Sequence, residues 1–145
     1  MSHAEKTGLQ YMKALAAGEI ENHAMSETIP TRAISIEKGK VVFEVKADER
    51  HINLFGGVHG GFSAAVLDSA TGSAIHTMLD AGKTYATIDL SIKMCRPVPK
   101  NESLFAEGAI INVSKSLGMA EGTLKDSDGK LYAHATCTCM ILSTV

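Results

Sequence analysis

The feature that most constrains this chain is a helical stretch at residues 59–79 in which small side chains occupy most of the helix surface. The small residues are Gly60, Gly61, Ser63, Ala64, Ala65, Ser69, Ala70, Thr71, Gly72, Ser73 and Ala74. Its glycines and β-branched residues lower the intrinsic helix propensity, so packing against other elements must hold it. Because small side chains let other backbones approach, the stretch predicts a helix wrapped by a sheet.

Alternating hydrophobicity predicts strands in most of the remaining chain. Two runs precede the long helix (residues 31–37 and 41–47), and four follow it (85–95, 103–113, 117–125 and 131–141). A short amphipathic helix is expected over residues 3–17, followed by an irregular segment at 18–30. This order predicts an α+β fold with a curved antiparallel sheet of five to six strands and an extra N-terminal helix.

The length of 145 residues fits a single domain, with residues 1–30 as N-terminal helix and loop and 31–142 as core. A formal charge of -2 gives no broad basic surface, so nucleic acid is not an expected partner. No signal peptide or membrane-spanning run is recognisable, which predicts a cytoplasmic protein. Cys95, Cys137 and Cys139 lack metal or redox spacing and are expected to be small buried thiols.

The segment that indicates chemistry is a glycine-rich loop, residues 53–62, that runs into the N-terminus of the long helix. The first amides of a helix lack internal partners and lie at the positive end of the helix dipole. The glycines Gly60 and Gly61 would let a carbonyl oxygen approach those amides, as in an oxyanion hole.

Asp68 lies two turns further along the same helix, among apolar neighbours where an ionised carboxylate is costly unless it is paired or used. Eight residues of helix separate it from Gly60 by ~12 Å. A single chain therefore cannot easily place both groups on one carbonyl. A two-fold dimer with shared active sites would do so.

Asn53, the His59-Gly60-Gly61 step and Asp68 together resemble the signature of the hotdog thioesterases related to 4-hydroxybenzoyl-CoA thioesterase, in the PaaI-like branch. The runs at residues 87–97 and 118–135 are also similar to that family. The resemblance covers about residues 30–142. It implies the hotdog fold and an acyl-CoA thioesterase that converts an acyl- or aryl-CoA thioester to free acid and CoA.

The resemblance also implies roles for individual residues. The Gly60 amide would polarise the thioester carbonyl, and His59 and Asn53 would position the thioester and support the loop. Asp68 of the partner subunit would act as nucleophile or general base, two roles that the sequence leaves open. Thr87 would hold the attacking water, which requires a β-bulge or an interface position because simple alternation turns it away from Ile88 and Leu90.

Substrate contacts follow from the same resemblance. Candidates for binding coenzyme A or the acyl group are Gly61, Phe62, Arg96, Lys115, Ser116 and Gly118. The acyl pocket is expected between the N-terminal helix, residues 18–30, Phe62 and helix residues of the partner. No metal or cofactor is expected, since coenzyme A is part of the substrate, and the family resemblance implies a homotetramer built as a dimer of dimers.

Two other functions remain open at this point. The chain could be a non-catalytic acyl-CoA-binding hotdog protein, or an enoyl-CoA hydratase-type enzyme of the same fold. A metal trio of His51, His59 and Asp68 fits no familiar ligand spacing. Ser63 and Ser69 lack the glycine-flanked turn that nucleophilic serines usually occupy.

Overall fold

The computed structural model describes residues 4–144 as one six-stranded antiparallel sheet with a long helix against it. The helices are α1 (Gly8–Ala16), α2 (Met25–Thr28) and α3 (Gly60–His76), with a 3₁₀ turn at Glu49–His51. The strands are β1 (Thr31–Glu37), β2 (Lys40–Lys46), β3 (Lys83–Met94), β4 (Ser103–Val113), β5 (Leu117–Lys125) and β6 (Leu131–Ser143). The predicted α+β hotdog architecture is confirmed.

The strands lie in the order β1-β2-β4-β5-β6-β3, and every neighbouring pair is antiparallel. Strand β3 is therefore an edge strand, although it follows directly after α3 in the chain. An edge strand presents unpaired backbone groups to which another strand can add. This placement becomes important because β3 carries Thr87.

Helix α3 packs closely on the sheet because glycines face it from β4 and β5. A Cβ atom built on Gly108 would overlap the carbonyl oxygen of Ala70, and one on Gly122 would lie 2.9 Å from the Thr71 methyl carbon. Eleven of the 17 helix residues are buried. The small side chains of α3 and the glycines of the sheet thus account for one another, as the sequence predicted.

We expect the Gly108→Ala substitution to lower the free energy of unfolding by about 3 kcal/mol, because the new methyl group meets backbone atoms that cannot rotate away. Gly57→Ala is the control, since a Cβ there lies 3.7 Å from the Asn53 side chain, an ordinary contact. Urea unfolding of both variants measures the difference. Equal stability of the two variants would contradict the close approach of α3 to β4.

The predicted elements differ from the observed ones mainly at their ends. The first helix was expected from residue 3, which lies outside the described residues; α1 begins at Gly8 because Thr7 and Gln10 form a capping box. Segment 18–30 is not wholly irregular, since it contains α2. The long helix ends three residues earlier than predicted, at His76.

Strand β3 departs from the predicted alternation through a β-bulge at Ile88. Thr87 pairs with Cys139 and Asp89 with Thr138, so Ile88 is the extra residue on β3. Ile88 is 54% exposed rather than buried. The bulge turns the Thr87 side chain to the face of the sheet that packs on α3, as its predicted role requires.

The cysteine prediction is right for two thiols and wrong for the third. Cys137 and Cys139 are buried on one face of β6, whereas Cys95 is exposed just after β3. Proline and arginine follow Cys95 in an extended segment that leaves the sheet, so no core surrounds it. Among residues 4–144, no helix has both the length and the apolar character needed to span a membrane.

Candidate active site

The N-terminus of α3 presents one free amide group. His59 is the N-cap, and its Nδ1 atom accepts a hydrogen bond of 2.7 Å from the Gly61 amide. The Gly60 amide has no hydrogen-bond partner within residues 4–144. The expectation that Gly60 and Gly61 both offer amides to a carbonyl is therefore wrong for Gly61, whose donor His59 already occupies.

The loop before α3 is held by Asn53. Its Oδ1 atom accepts hydrogen bonds from the backbone amides of Phe55 (2.9 Å) and Gly57 (3.1 Å). The backbone amide of Asn53 donates to the Gly57 carbonyl at 2.7 Å. Asn53 thus shapes the turn that delivers the chain to His59. A direct contact between its side-chain NH₂ group and a thioester remains a prediction.

The carboxylate of Asp68 meets the hydroxyl of Thr87 across the helix–sheet interface. Thr87 donates a 2.9 Å hydrogen bond from its Oγ1 atom to Oδ1 of Asp68. The Cys139 thiol lies 3.7 Å from the same hydroxyl, and Cys137 lies 3.5 Å from Cys139. The Thr87 bond fixes one carboxylate oxygen and leaves Oδ2 available for a reactant.

The hydrogen bond between the two thiols behind Thr87 shifts their pKa values in opposite directions and lowers that of Cys137 to about 7. A hydrogen bond with Cys137, together with burial, raises the pKa of Cys139 well above its usual value. The single S–H of Cys139 can point either to Cys137 or to Thr87, whose own proton goes to Asp68. Cys139 therefore packs behind Thr87 as a neutral thiol and does not compete with Asp68 as a nucleophile.

Beside the free Gly60 amide lies a cleft of about 300 Å³. It is lined by Val58, His59, Gly60, Ser63, Met94, Cys95, Arg96, Pro97 and Val98. The sequence interpretation had rejected Ser63 as a nucleophile and gave it no other role. Ser63 is 3% exposed, and its hydroxyl has no partner in the described part of the chain, which makes it a candidate donor to a group bound in the cleft.

The residues predicted to bind coenzyme A do not gather in one place. Arg96 borders the cleft and donates to the Leu131 carbonyl at 2.7 Å, next to the end of β5. Lys115 and Ser116 form the turn before β5, so one whole strand, ~30 Å, separates them from Arg96. Gly118 is buried under Ile75 and has a packing reason to be glycine. One chain alone cannot bring these residues to a single phosphate.

Phe62 and His51 belong to the structural core of the loop region. Phe62 is 3% exposed and its ring lies 5.5 Å from that of His51, so it faces the core within one chain, and its contact with an acyl group remains a prediction. His51 accepts from the Asp48 amide at 2.9 Å and donates to the Thr28 carbonyl at 2.8 Å. No cluster of three metal-ligating side chains is found among residues 4–144.

A second cavity, of about 490 Å³, lies on the other side of α3, under α1 and the segment that follows it. The sequence interpretation expected an acyl pocket between these N-terminal elements. It missed the contribution of α3 and β3, from which Ser69, Ser73 and Tyr85 line the cavity. Tyr85 precedes Thr87 by two residues, and residues two apart on a strand share one face of the sheet. This spacing is the signal in the sequence that could have placed Tyr85 on the same face as Thr87.

The thioesterase-superfamily model matches residues 55–133, which include the loop before α3 from Phe55 onward, Asp68 and the β3 bulge. The chain belongs to the thioesterase superfamily. The predicted family is thus confirmed, and with it an enzyme of the thioester hydrolase type.

Individual relatives agree with this assignment. A protein of Saccharolobus solfataricus named as an esterase is 31% identical over 80% of this chain and 81% of its own length. Human acyl-coenzyme A thioesterase 13 is 27% identical over 72% of this chain and 75% of its own. Among solved structures, a thioesterase-type, phenylacetic acid degradation-related protein of Ralstonia eutropha has a TM-score of 0.81 and 26% identity, covering 90% of this chain and 98% of that one.

Proposed function

We propose that this protein hydrolyses acyl-CoA thioesters, with Asp68 as the catalytic carboxylate and the Gly60 amide as the oxyanion donor. The observation that carries the proposal is the pairing of Asp68 with Thr87 through the β3 bulge. That hydrogen bond orients a carboxylate whose second oxygen faces no partner side chain among residues 4–144. The human relative whose name specifies acyl-coenzyme A supports the choice of thioester.

The two reacting groups would come from different subunits. Asp68 and Gly60 lie eight residues apart on one straight element, ~12 Å along its axis. The edge position of β3 offers a route to a dimer, since β3 of a second copy could add to it. In such a homodimer each site would combine the Gly60 amide of one protomer with Asp68 and Thr87 of its partner, and two dimers could form the tetramer that the sequence suggested.

Hydrolysis requires a nucleophile for the carbonyl carbon and a stabilised oxyanion. Asp68 would either take a proton from the attacking water or attack directly to give an anhydride that water then opens. On both routes the carbonyl oxygen becomes negative while it faces the Gly60 amide and the positive end of α3. The C–S bond then breaks, and the coenzyme A thiolate receives the proton that Asp68 took from water or, on the direct route, a proton from solvent. The acid is released at once on the first route and after water opens the anhydride on the second.

Coenzyme A would occupy the cleft beside Gly60. Its thioester end would lie near His59 and Ser63, and Arg96 at the rim carries the positive charge that a phosphate needs. Because Lys115 and Ser116 lie at the far end of β5, they could reach the same coenzyme A only from another protomer.

The proposal is tested by thiol release from a panel of short, medium, long and aromatic acyl-CoA thioesters. We expect turnover of at least one class, with crotonyl-CoA hydration measured in parallel. Hydration without thiol release would favour the hydratase-type alternative. Binding of coenzyme A with neither reaction would favour a non-catalytic acyl-CoA-binding protein.

The role of Thr87 gives a separate prediction. Thr87→Val keeps the shape of the side chain but removes the donor to Asp68, so we expect kcat to fall on the order of tenfold to a hundredfold with little change in KM. Thr87→Ser, which restores the hydroxyl, should recover most of the loss. Steady-state kinetics on one thioester measures both, and an unaltered kcat for Thr87→Val would remove this residue from the mechanism.

A further inference from the structure

The 490 Å³ cavity has two walls of different chemistry. Its outer wall combines apolar side chains, among them Met12 and Leu15 of α1, with the polar side chains of Glu21, Asn22 and His23 in the segment that follows. Its inner wall is formed by α3 and β3 and carries the hydroxyl groups of Ser69, Ser73 and Tyr85. A volume of this size is typical of small-molecule sites, so the cavity can hold an acyl group.

The inner wall adjoins the proposed catalytic carboxylate. Ser69 follows Asp68 on α3, and Tyr85 lies two residues before Thr87 on the same face of β3. An acyl chain whose carbonyl carbon lies at Asp68 can therefore extend past Ser69 toward Ser73, one helical turn or ~6 Å further on. Asp68 and Thr87 do not themselves line the cavity, so the acyl chain would enter it at Ser69.

The inner wall carries hydroxyl groups and the imidazole of His76 but, within the described residues, no lysine or arginine. Burial is the main cause that raises the pKa of Tyr85 far above its usual value, so its hydroxyl stays protonated, and it hydrogen-bonds with Ser73. The lining of the cavity in the described chain includes the charged side chains of Glu21 and Arg32, and Arg32 lies exposed at the rim, paired with Glu44 at 3.2 Å. A carboxylate brought against the inner wall would lose water without gaining a lysine or arginine partner.

The hydroxyl of Ser69 has no hydrogen-bond partner among residues 4–144. It is partly exposed in the cavity, where water can satisfy it. A plain alkyl chain would displace that water and leave the hydroxyl unpaired, whereas a substituent with a hydrogen-bonding oxygen would replace it. The wall therefore favours acyl groups that carry a hydrogen-bonding oxygen over plain alkyl chains.

We propose that this cavity selects acyl groups bearing an uncharged hydrogen-bonding substituent, a hydroxyl or keto oxygen, and that Ser69, Ser73 and Tyr85 determine this specificity. The proposal rests on acyl-CoA hydrolysis as the proposed function. It narrows the substrate from any acyl-CoA to one whose chain carries an oxygen between the positions facing Ser69 and Ser73.

The test compares hexanoyl-CoA with 3-hydroxyhexanoyl-CoA, 6-hydroxyhexanoyl-CoA and the carboxylated adipoyl-CoA. We expect kcat/KM for at least one hydroxylated thioester to exceed that for hexanoyl-CoA by about tenfold or more, and adipoyl-CoA to be the poorest substrate. Ser69→Ala should remove a preference for the 3-hydroxy substrate, and Ser73→Ala a preference for the 6-hydroxy substrate. Ser103→Ala, a serine of β4 outside the cavity, is the matched control and should change neither ratio.

Equal kcat/KM values for hexanoyl-CoA and both hydroxylated substrates would overturn the proposal, as would a preference for adipoyl-CoA. Calorimetric binding of the corresponding thioether analogues, which cannot be hydrolysed, separates this result from the proposed function. Tighter binding of a hydroxylated thioether without thiol release from any thioester would support the cavity assignment and contradict hydrolysis. Thiol release with equal kcat/KM for hexanoyl-CoA and the hydroxylated thioesters would support hydrolysis and contradict the cavity assignment.

Discussion

Asp68→Asn is expected to lower kcat for acyl-CoA hydrolysis by ~10³-fold while the protein stays folded. Asparagine has nearly the same shape, and its carbonyl oxygen can still accept the hydrogen bond that Thr87 donates at 2.9 Å. What disappears is the negative charge that either attacks the thioester or takes the proton of water. Steady-state thiol release measures the loss.

The control for this variant is Asp80→Asn, the same chemical change at an exposed residue just after α3. It should leave kcat unchanged, and thermal unfolding should show that Asp68→Asn retains a cooperative transition. If Asp68→Asn keeps more than a tenth of wild-type kcat, the carboxylate has no essential part in the chemistry.

The sequence predicts the architecture well because the packing of α3 leaves a clear signature. Small residues on the helix require close neighbours, and the strand runs that supply them are separated by recognisable turns. Element order and strand number followed from these local patterns. The ends of elements did not, because side-chain caps such as Thr7 on α1 decide them.

The site was less predictable where two neighbouring backbone groups could fill the same role. Gly60 and Gly61 look equivalent in the sequence, yet the ring of His59 takes the Gly61 amide and leaves the Gly60 amide unpaired. The bulge at Ile88 is similarly hidden, since only the register of β3 against β6 reveals which residue is extra. Without the bulge, Thr87 would face away from Asp68.

Sequence patterns also could not show which distant residues of the chain lie close together in the fold. Arg96 and Lys115 both suit a phosphate by charge, but the length of β5 separates them in one chain. Phe62 follows Gly60 by two residues, and only the structure shows that the helix turns its ring toward His51 and the core. Ser73 and Tyr85 meet in the cavity although eleven residues, including a loop, lie between them.

Gly60→Pro is expected to lower kcat by about a hundredfold to a thousandfold, because proline has no amide hydrogen to stabilise the oxyanion. The backbone can accept this change. Gly60 is the first residue of α3, where proline is favoured, and His59 already has the extended conformation (φ -63°, ψ 138°) that a residue before proline adopts. We therefore expect Gly60→Pro to lower kcat while the helix content and the free energy of unfolding stay close to those of the wild type.

Gly60→Ala controls for the added side chain. Its Cβ would lie 2.9 Å from the sulfur of Met94, the flexible end of an exposed side chain that can move aside. Because the alanine variant keeps its amide hydrogen, we expect it to retain most of the wild-type kcat. Equal losses in the alanine and proline variants would mean that bulk at this position matters and that the amide does not.

Mixing Gly60→Pro and Asp68→Asn subunits tests whether two protomers share each site. In a mixed dimer, one site would combine the intact Gly60 of the Asp68→Asn chain with the intact Asp68 of the Gly60→Pro chain, and the other site would carry both substitutions. Two nearly inactive proteins should then recover roughly a quarter of wild-type activity after co-refolding in equal amounts, since half of the dimers are mixed and each has one working site. A site contained within one protomer would give no recovery, because every chain in the mixture lacks one of the two groups. Recovery thus depends on the ~12 Å of helix between Gly60 and Asp68, a distance that one chain cannot close and two can.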